Sequence, residues 1–146
     1  MPAKFIPLIV GGVIPAVLYG ITGIFQKLNA REGGSVAMYL ICFGATTLLA
    51  GLLFHFLRPE GLGSPRSIGW ALVAGFTFAG GAGLISLALI KYQAAISQLS
   101  PLYNMNVLIT VVVGLWLLAE YRQVQLGPLL LGSVLIAVGA ILVANA

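Results

Sequence analysis

Five long apolar runs, separated by short segments that carry nearly every charge, set the pattern of the chain. They extend from Phe5 to Leu28, Val36 to Leu57, Ile68 to Ile90, Pro101 to Ala119 and Leu126 to Val143. A bilayer core of about 30 Å is crossed by roughly 20 helical residues rising about 1.5 Å each, so every run is long enough for one crossing. Backbone groups in lipid must bond within their own segment, and the alternating segments of about ten residues that build a barrel are absent from the sequence. The pattern predicts an all-α bundle of five membrane-spanning helices, one domain over residues 1–146. Lys4 and the apolar start imitate a secretory leader, but the run to Leu28 is too long and lacks a small-x-small cleavage site, so it is read as the first helix.

Composition agrees with lipid as the solvent. Apolar residues make up 60% of the 146, charged residues 7%, and the mean hydropathy is +1.10. That leaves too little polar surface to cover a soluble domain. The formal charge of +4, from seven Lys and Arg against three acidic residues, is scattered over short loops. Without a basic stripe, nucleic acid is not an expected partner. Cys42 is the only cysteine and lies inside the second run, so no intrachain disulfide forms.

Turn chemistry places the boundaries. Residues 58–66, rich in Pro and Gly, form a loop between the second and third helices. Ser100-Pro101 reads as an N-cap followed by proline at the first helical position, which starts the fourth helix, and Gly127-Pro128 falls in the first turn of the fifth. Small residues recur every four positions at Gly12, Ala16 and Gly20, and again at Gly75, Ala79 and Gly83, a spacing that lets helix backbones pack closely or slide. Pro15 leaves the Gly11 carbonyl without its usual donor, which predicts a kink or hinge in the first helix.

With five spans, the positive residues divide almost evenly between the two sides. Lys4, Arg58, Arg66 and Arg122 lie on one, and Lys27, Arg31 and Lys91 on the other. The positive-inside rule therefore hardly prefers an orientation. Either Arg58 and Arg66 fix one orientation, or the chain inserts both ways. Two copies in opposite orientation would reproduce the inverted repeats of many transporters.

Several punctuating residues resemble those of EamA-type drug/metabolite transporters. They are Tyr19-Gly20 followed by Gln26-Lys27, then Ala88-Leu89-Ile90-Lys91-Tyr92, Gln98-Leu99-Ser100-Pro101-Leu102, Leu118-Ala119-Glu120-Tyr121-Arg122, and Leu131-Gly132 to Gly139. The resemblance covers essentially the whole chain. It implies one five-helix repeat of a ten-helix inverted-repeat transporter, completed by a second copy, with helices one, three and four lining a central cavity. Two departures stand out: Ala119 replaces the family's usual glycine before the glutamate, and Asn106-Val107 replaces the Tyr-Pro of many short members.

A carboxylate buried in mid-membrane would mark a proton or cation site, but Glu32 and Glu60 fall in loops and Glu120 at a helix end beside Arg122. The polar cluster around the fourth helix is the stronger candidate. Asn104 and Asn106 offer both donors and acceptors, which suits a neutral or zwitterionic metabolite, and Tyr103 adds a ring face and a hydroxyl. A plainer role for the two asparagines is to bond neighbouring helices, worth about 1 kcal/mol or less per contact. Free N–H groups after Ser100 would favour a carboxylate or phosphate end on the substrate. The candidate cavity thus comprises Tyr19, Thr22, Gln26, Lys27, Ser100, Tyr103, Asn104 and Asn106, with Gly12, Pro15, Ala16, Gly20, Gly75, Ala79 and Gly83 as hinge or packing residues. Lys27 and Lys91 read as interfacial lysines, His55 as a solvated interfacial histidine, and Trp70, Trp116 and Tyr121 as interfacial anchors.

The expected function is alternating-access transport of a small polar metabolite, such as an amino acid, across a bacterial or archaeal inner (cytoplasmic) membrane by an antiparallel homodimer. No cofactor, metal or catalytic residue is expected, and an enzyme is disfavoured because no nucleophile with its base, metal cluster or phosphate loop is discernible. Flipping of a lipid-linked substrate and a non-transporting membrane scaffold are the alternatives.

Overall fold

The structure, a computed structural model, describes residues 5–61, 63–122 and 124–145. Lys4, counted above on one side of the membrane, lies outside them. Among the described residues every regular element is helical, and five stretches are long and apolar enough to cross a membrane. The chain fits an integral membrane protein. It divides into two compact units, Met1–Gln93 and Ala94–Ala146.

The first unit contains α1 (Phe5–Arg31), α2 (Val36–Leu57) and α3 (Pro65–Lys91). α1 is helical throughout but widens into a π-turn over Ile9–Val13, where the Ile14 N–H donates to the Ile9 carbonyl five residues back. The reason is Pro15, whose ring crowds the Gly11 carbonyl and brings no N–H to it, and a widened turn just upstream accommodates both. α1 continues past Leu28 to Arg31, with a cation in its last turn to meet the helix dipole. Gly33, at φ +79, then reverses the chain while the Gly34 N–H returns to the Asn29 carbonyl at 2.9 Å.

Ser35 caps α2 by accepting from the Met38 N–H at 3.2 Å. α3 begins at Pro65 rather than Ile68. Ser64 accepts from the Ser67 N–H at 3.2 Å, the Ser67 hydroxyl donates back to the Ser64 carbonyl at 2.8 Å, and Pro65 takes the first helical position, where no N–H is missed. α3 touches both other helices. Against α2 it stacks Phe78 on Phe43 at 5.9 Å between centroids, and Phe43 stacks in turn on Tyr39 of its own helix at 5.8 Å. Beside that ladder runs an open apolar groove of about 450 Å³ between α2 and α3, lined by Val36, Leu40, Phe76, Ala79, Gly83 and Leu87 among others.

Within the chain, most positions of the small-residue stripes meet no other helix. A methyl group added at Gly12, Gly20 or Gly75 would meet nothing within 4 Å, and Ala16 and Ala79 are exposed. Only Gly83 meets another helix, its added Cβ standing 3.3 Å from Leu40 Cδ1. α1 meets α3 where Gln26 bonds Ala82 and Ser86, and the residues buried on the two helices are Gly23, Gln26 and Ala30 on α1 and Ser86 and Leu89 on α3.

The second unit contains α4 (Ile96–Tyr103), α5 (Asn106–Leu117), a 3-10 turn over Glu120–Arg122, and α6 (Leu126–Ala144). α6 packs against both α4 and α5 and buries Ser133 and Ala140, seven residues apart on one face. The fourth span corrects the expected start at Ser100-Pro101. Helix begins at Ile96 with Ala95 as its N-cap, Pro101 lies inside it, and Ser100 caps nothing. The span also stops at Leu117 rather than Ala119, because Ala119 adopts φ +55, a left-handed turn that ends the helix.

Large apolar side chains face outward in both units, Trp116 at 90% exposure and Phe76 at 82%. In lipid such side chains lose nothing by this, and helix contacts are left to small and polar residues.

Candidate functional site

The eight expected cavity residues divide between the units: Tyr19, Thr22, Gln26 and Lys27 on α1, and Ser100, Tyr103, Asn104 and Asn106 in the fourth span. Their environments differ. Tyr19 is 66% exposed. Thr22 is half-buried and donates to the Leu18 carbonyl one turn back at 2.9 Å. Thr46, Thr47, Thr77 and Thr110 do the same on their own helices. A hydroxyl satisfied by its own helix needs neither partner nor ligand at membrane depth.

Gln26 is only 7% exposed. Its Nε2 donates to Ser86 Oγ at 2.8 Å and to the Ala82 carbonyl at 3.1 Å, both on α3. The amide is a clasp between two helices, with its donors taken up by α3. Lys27, next to it, is half-buried. The pairing was not legible from the expected ends Leu28 and Ile90, which lie two and four residues beyond Gln26 and Ser86; only the observed ends, Arg31 and Lys91, set both five residues from a helix end and so at the same depth.

The fourth span is broken at Asn104-Met105. Pro101 has no N–H to give the Ser97 carbonyl. The chain then tightens: Met105 donates to Leu102 at 3.1 Å, Val107 to Asn104 at 3.2 Å and Leu108 to Met105 at 3.0 Å, each three residues back instead of four. The break lies eight residues into the stretch Ile96–Leu117, about 12 Å from its start and thus near mid-depth of a 30 Å core. Asn104 and Asn106 flank it, both exposed, and among the described residues neither side-chain amide has a hydrogen-bond partner. Ser100, one turn earlier, and Tyr103, immediately before the break, are half-buried. The N–H groups after Ser100 are not those of a helix start, because the helix already runs from Ile96, so Leu102 and Tyr103 have a helical turn upstream to bond. The expected pull on an anionic substrate end therefore has no basis there.

Irregular backbone at membrane depth is tolerated only where protein or a water-filled cavity covers it, and an unpaired amide in hydrocarbon costs several kcal/mol, roughly 2–7. The Asn104–Asn106 break is thus the one stretch of the expected set that demands a polar neighbour. With two carbonyl acceptors and two NH₂ donors it can grip a ligand that both donates and accepts.

Glu120, at the far end of α5, is exposed and its carboxylate lies against Gly114, where an added Cβ would stand 2.9 Å from Oε2. The Arg122 guanidinium lies over the Tyr121 ring at 5.6 Å, and Lys91 over Tyr92 at the same distance. Among the described residues no cluster of His, Cys, Asp and Glu could hold a metal ion. The chain matches no family model, no curated protein and no solved structure.

Proposed function

We propose that the chain is one five-span repeat of an EamA-like transporter, carrying a small polar metabolite such as an amino acid by alternating access as a homodimer of oppositely oriented copies. The broken fourth span supports this reading. Discontinuous helices near the bilayer midplane supply the binding groups of many transporters, and Asn104 and Asn106 provide amides at such a break that are unpaired among the described residues. The near balance of positive residues between the two sides supports opposite orientations.

The test is solute uptake by purified protein in liposomes, screened with radiolabelled amino acids and related zwitterions. Uptake by the wild type that Asn104→Leu with Asn106→Leu abolishes is the expected result, and no uptake of any solute would sink the proposal. A cysteine introduced after Asn145 in a Cys42→Ser background checks the pairing. An impermeant thiol reagent should label about half of it in intact cells if both orientations insert, and all or none if one does.

A second reading, flipping of a lipid-linked substrate, is favoured by the apolar groove between α2 and α3, which suits an acyl tail. Lipid retained through purification and displaced by a bulky residue at Gly83 would favour it over solute transport.

A further inference from the structure

We propose that the Gln26 clasp is a gate, closing one end of the transport path by holding α1 to α3 and opening it by release. The inference rests on the transport reading. α1 and α3 meet near their C-terminal ends, where Gly23, Gln26, Ala30, Ser86 and Leu89 are buried. Further from those ends, a Cβ added at Gly12, Gly20 or Gly75 would meet nothing within 4 Å. The pair is therefore held at one end and uncovered at the other.

Three features make release feasible. Three of the five residues buried there, Gly23, Ala30 and Ser86, are small, which limits the packing lost when the contact parts. Its polar bonds are made by one flexible side chain, and such interhelical bonds are individually weak in membranes. The π-turn at Ile9–Val13 interrupts the regular bonding of α1 upstream, where a helix yields most readily. When Gln26 lets go, Ser86 keeps an acceptor within reach on its own helix, so the open state strands only the Gln26 amide, which water entering the gap satisfies.

The experiment reads opening without reading transport. In a Cys42→Ser background, Leu89→Cys places a thiol at a position that is 0% exposed in the closed seam. The purified full chain is labelled with a hydrophilic maleimide, alone and with Gln26→Leu or Ser86→Ala added. Slow labelling of the parent, about tenfold faster labelling with Gln26→Leu and an intermediate rate with Ser86→Ala are expected from the loss of two bonds and of one. Equal rates in all three, whether slow or fast, would overturn the gate. Ala30→Cys, across the seam, must give the same order at unchanged helicity, and a different order there also overturns it. Because no flux is measured, a failed gate leaves the transport proposal standing, and a failed transport assay leaves the gate measurable.

Discussion

The α1–α3 seam and the break between α4 and α5 handle the same chemical problem in opposite ways. Both place side-chain amides within apolar spans. At the seam Gln26 is buried with its donors occupied by Ala82 and Ser86. At the break Asn104 and Asn106 are exposed, and among the described residues their amides are unbonded. A satisfied amide holds helices together, whereas an unsatisfied one calls for water, a ligand or a second protein surface. The difference separates a polar residue that maintains the fold from one available for recognition, although both look alike as isolated polar letters in a hydrophobic run.

The comparison is broken most directly at the fourth span. Asn104→Leu with Asn106→Leu is expected to lower solute uptake by about tenfold or more while leaving resistance to unfolding within about 0.5 kcal/mol, since no bond of the fold is lost. Uptake and denaturant titration on the same preparation check both halves. Gln26→Leu should show the reverse emphasis, a loss of about 1–2 kcal/mol for two interhelical bonds, read by unfolding in mixed micelles.

Smaller effects sharpen the local picture. Ala119→Gly should stabilise by about 1 kcal/mol, because alanine at φ +55 carries a steric penalty that glycine avoids. Thermal unfolding would detect it, and a loss of stability would mean the turn is not left-handed. Gly20→Ala should gain about 0.5–1 kcal/mol from helix propensity because its Cβ meets nothing, whereas at Gly83→Ala crowding on Leu40 should cancel most of that gain. A loss at Gly20 would instead show that a second copy packs on that face.

Two Ser-Pro dipeptides show where reading the sequence stops. Ser64-Pro65 begins α3, and Ser100-Pro101 lies within α4, although the same capping argument applies to both. Ser64 follows Pro- and Gly-containing loop residues that cannot continue a helix, while Ser100 follows Ile96–Leu99, which can. The context upstream decides which proline starts a helix and which merely weakens one. The match between Gln26 and Ser86 appears only with the observed helix ends at Arg31 and Lys91, and nothing local marked Asn104 and Asn106 as unpaired. Ala119 was legible as a departure from glycine, and its left-handed backbone gives that departure a physical meaning.

The number of spans, their helical nature and several of their ends follow from the order of residues alone, because burial in lipid depends on run length and backbone bonding, both local properties. Only the tertiary structure decided which small residues pack, which amide is satisfied and where the fourth span breaks. Those outcomes depend on what lies opposite each residue, and a hydrophobic run does not record its neighbours.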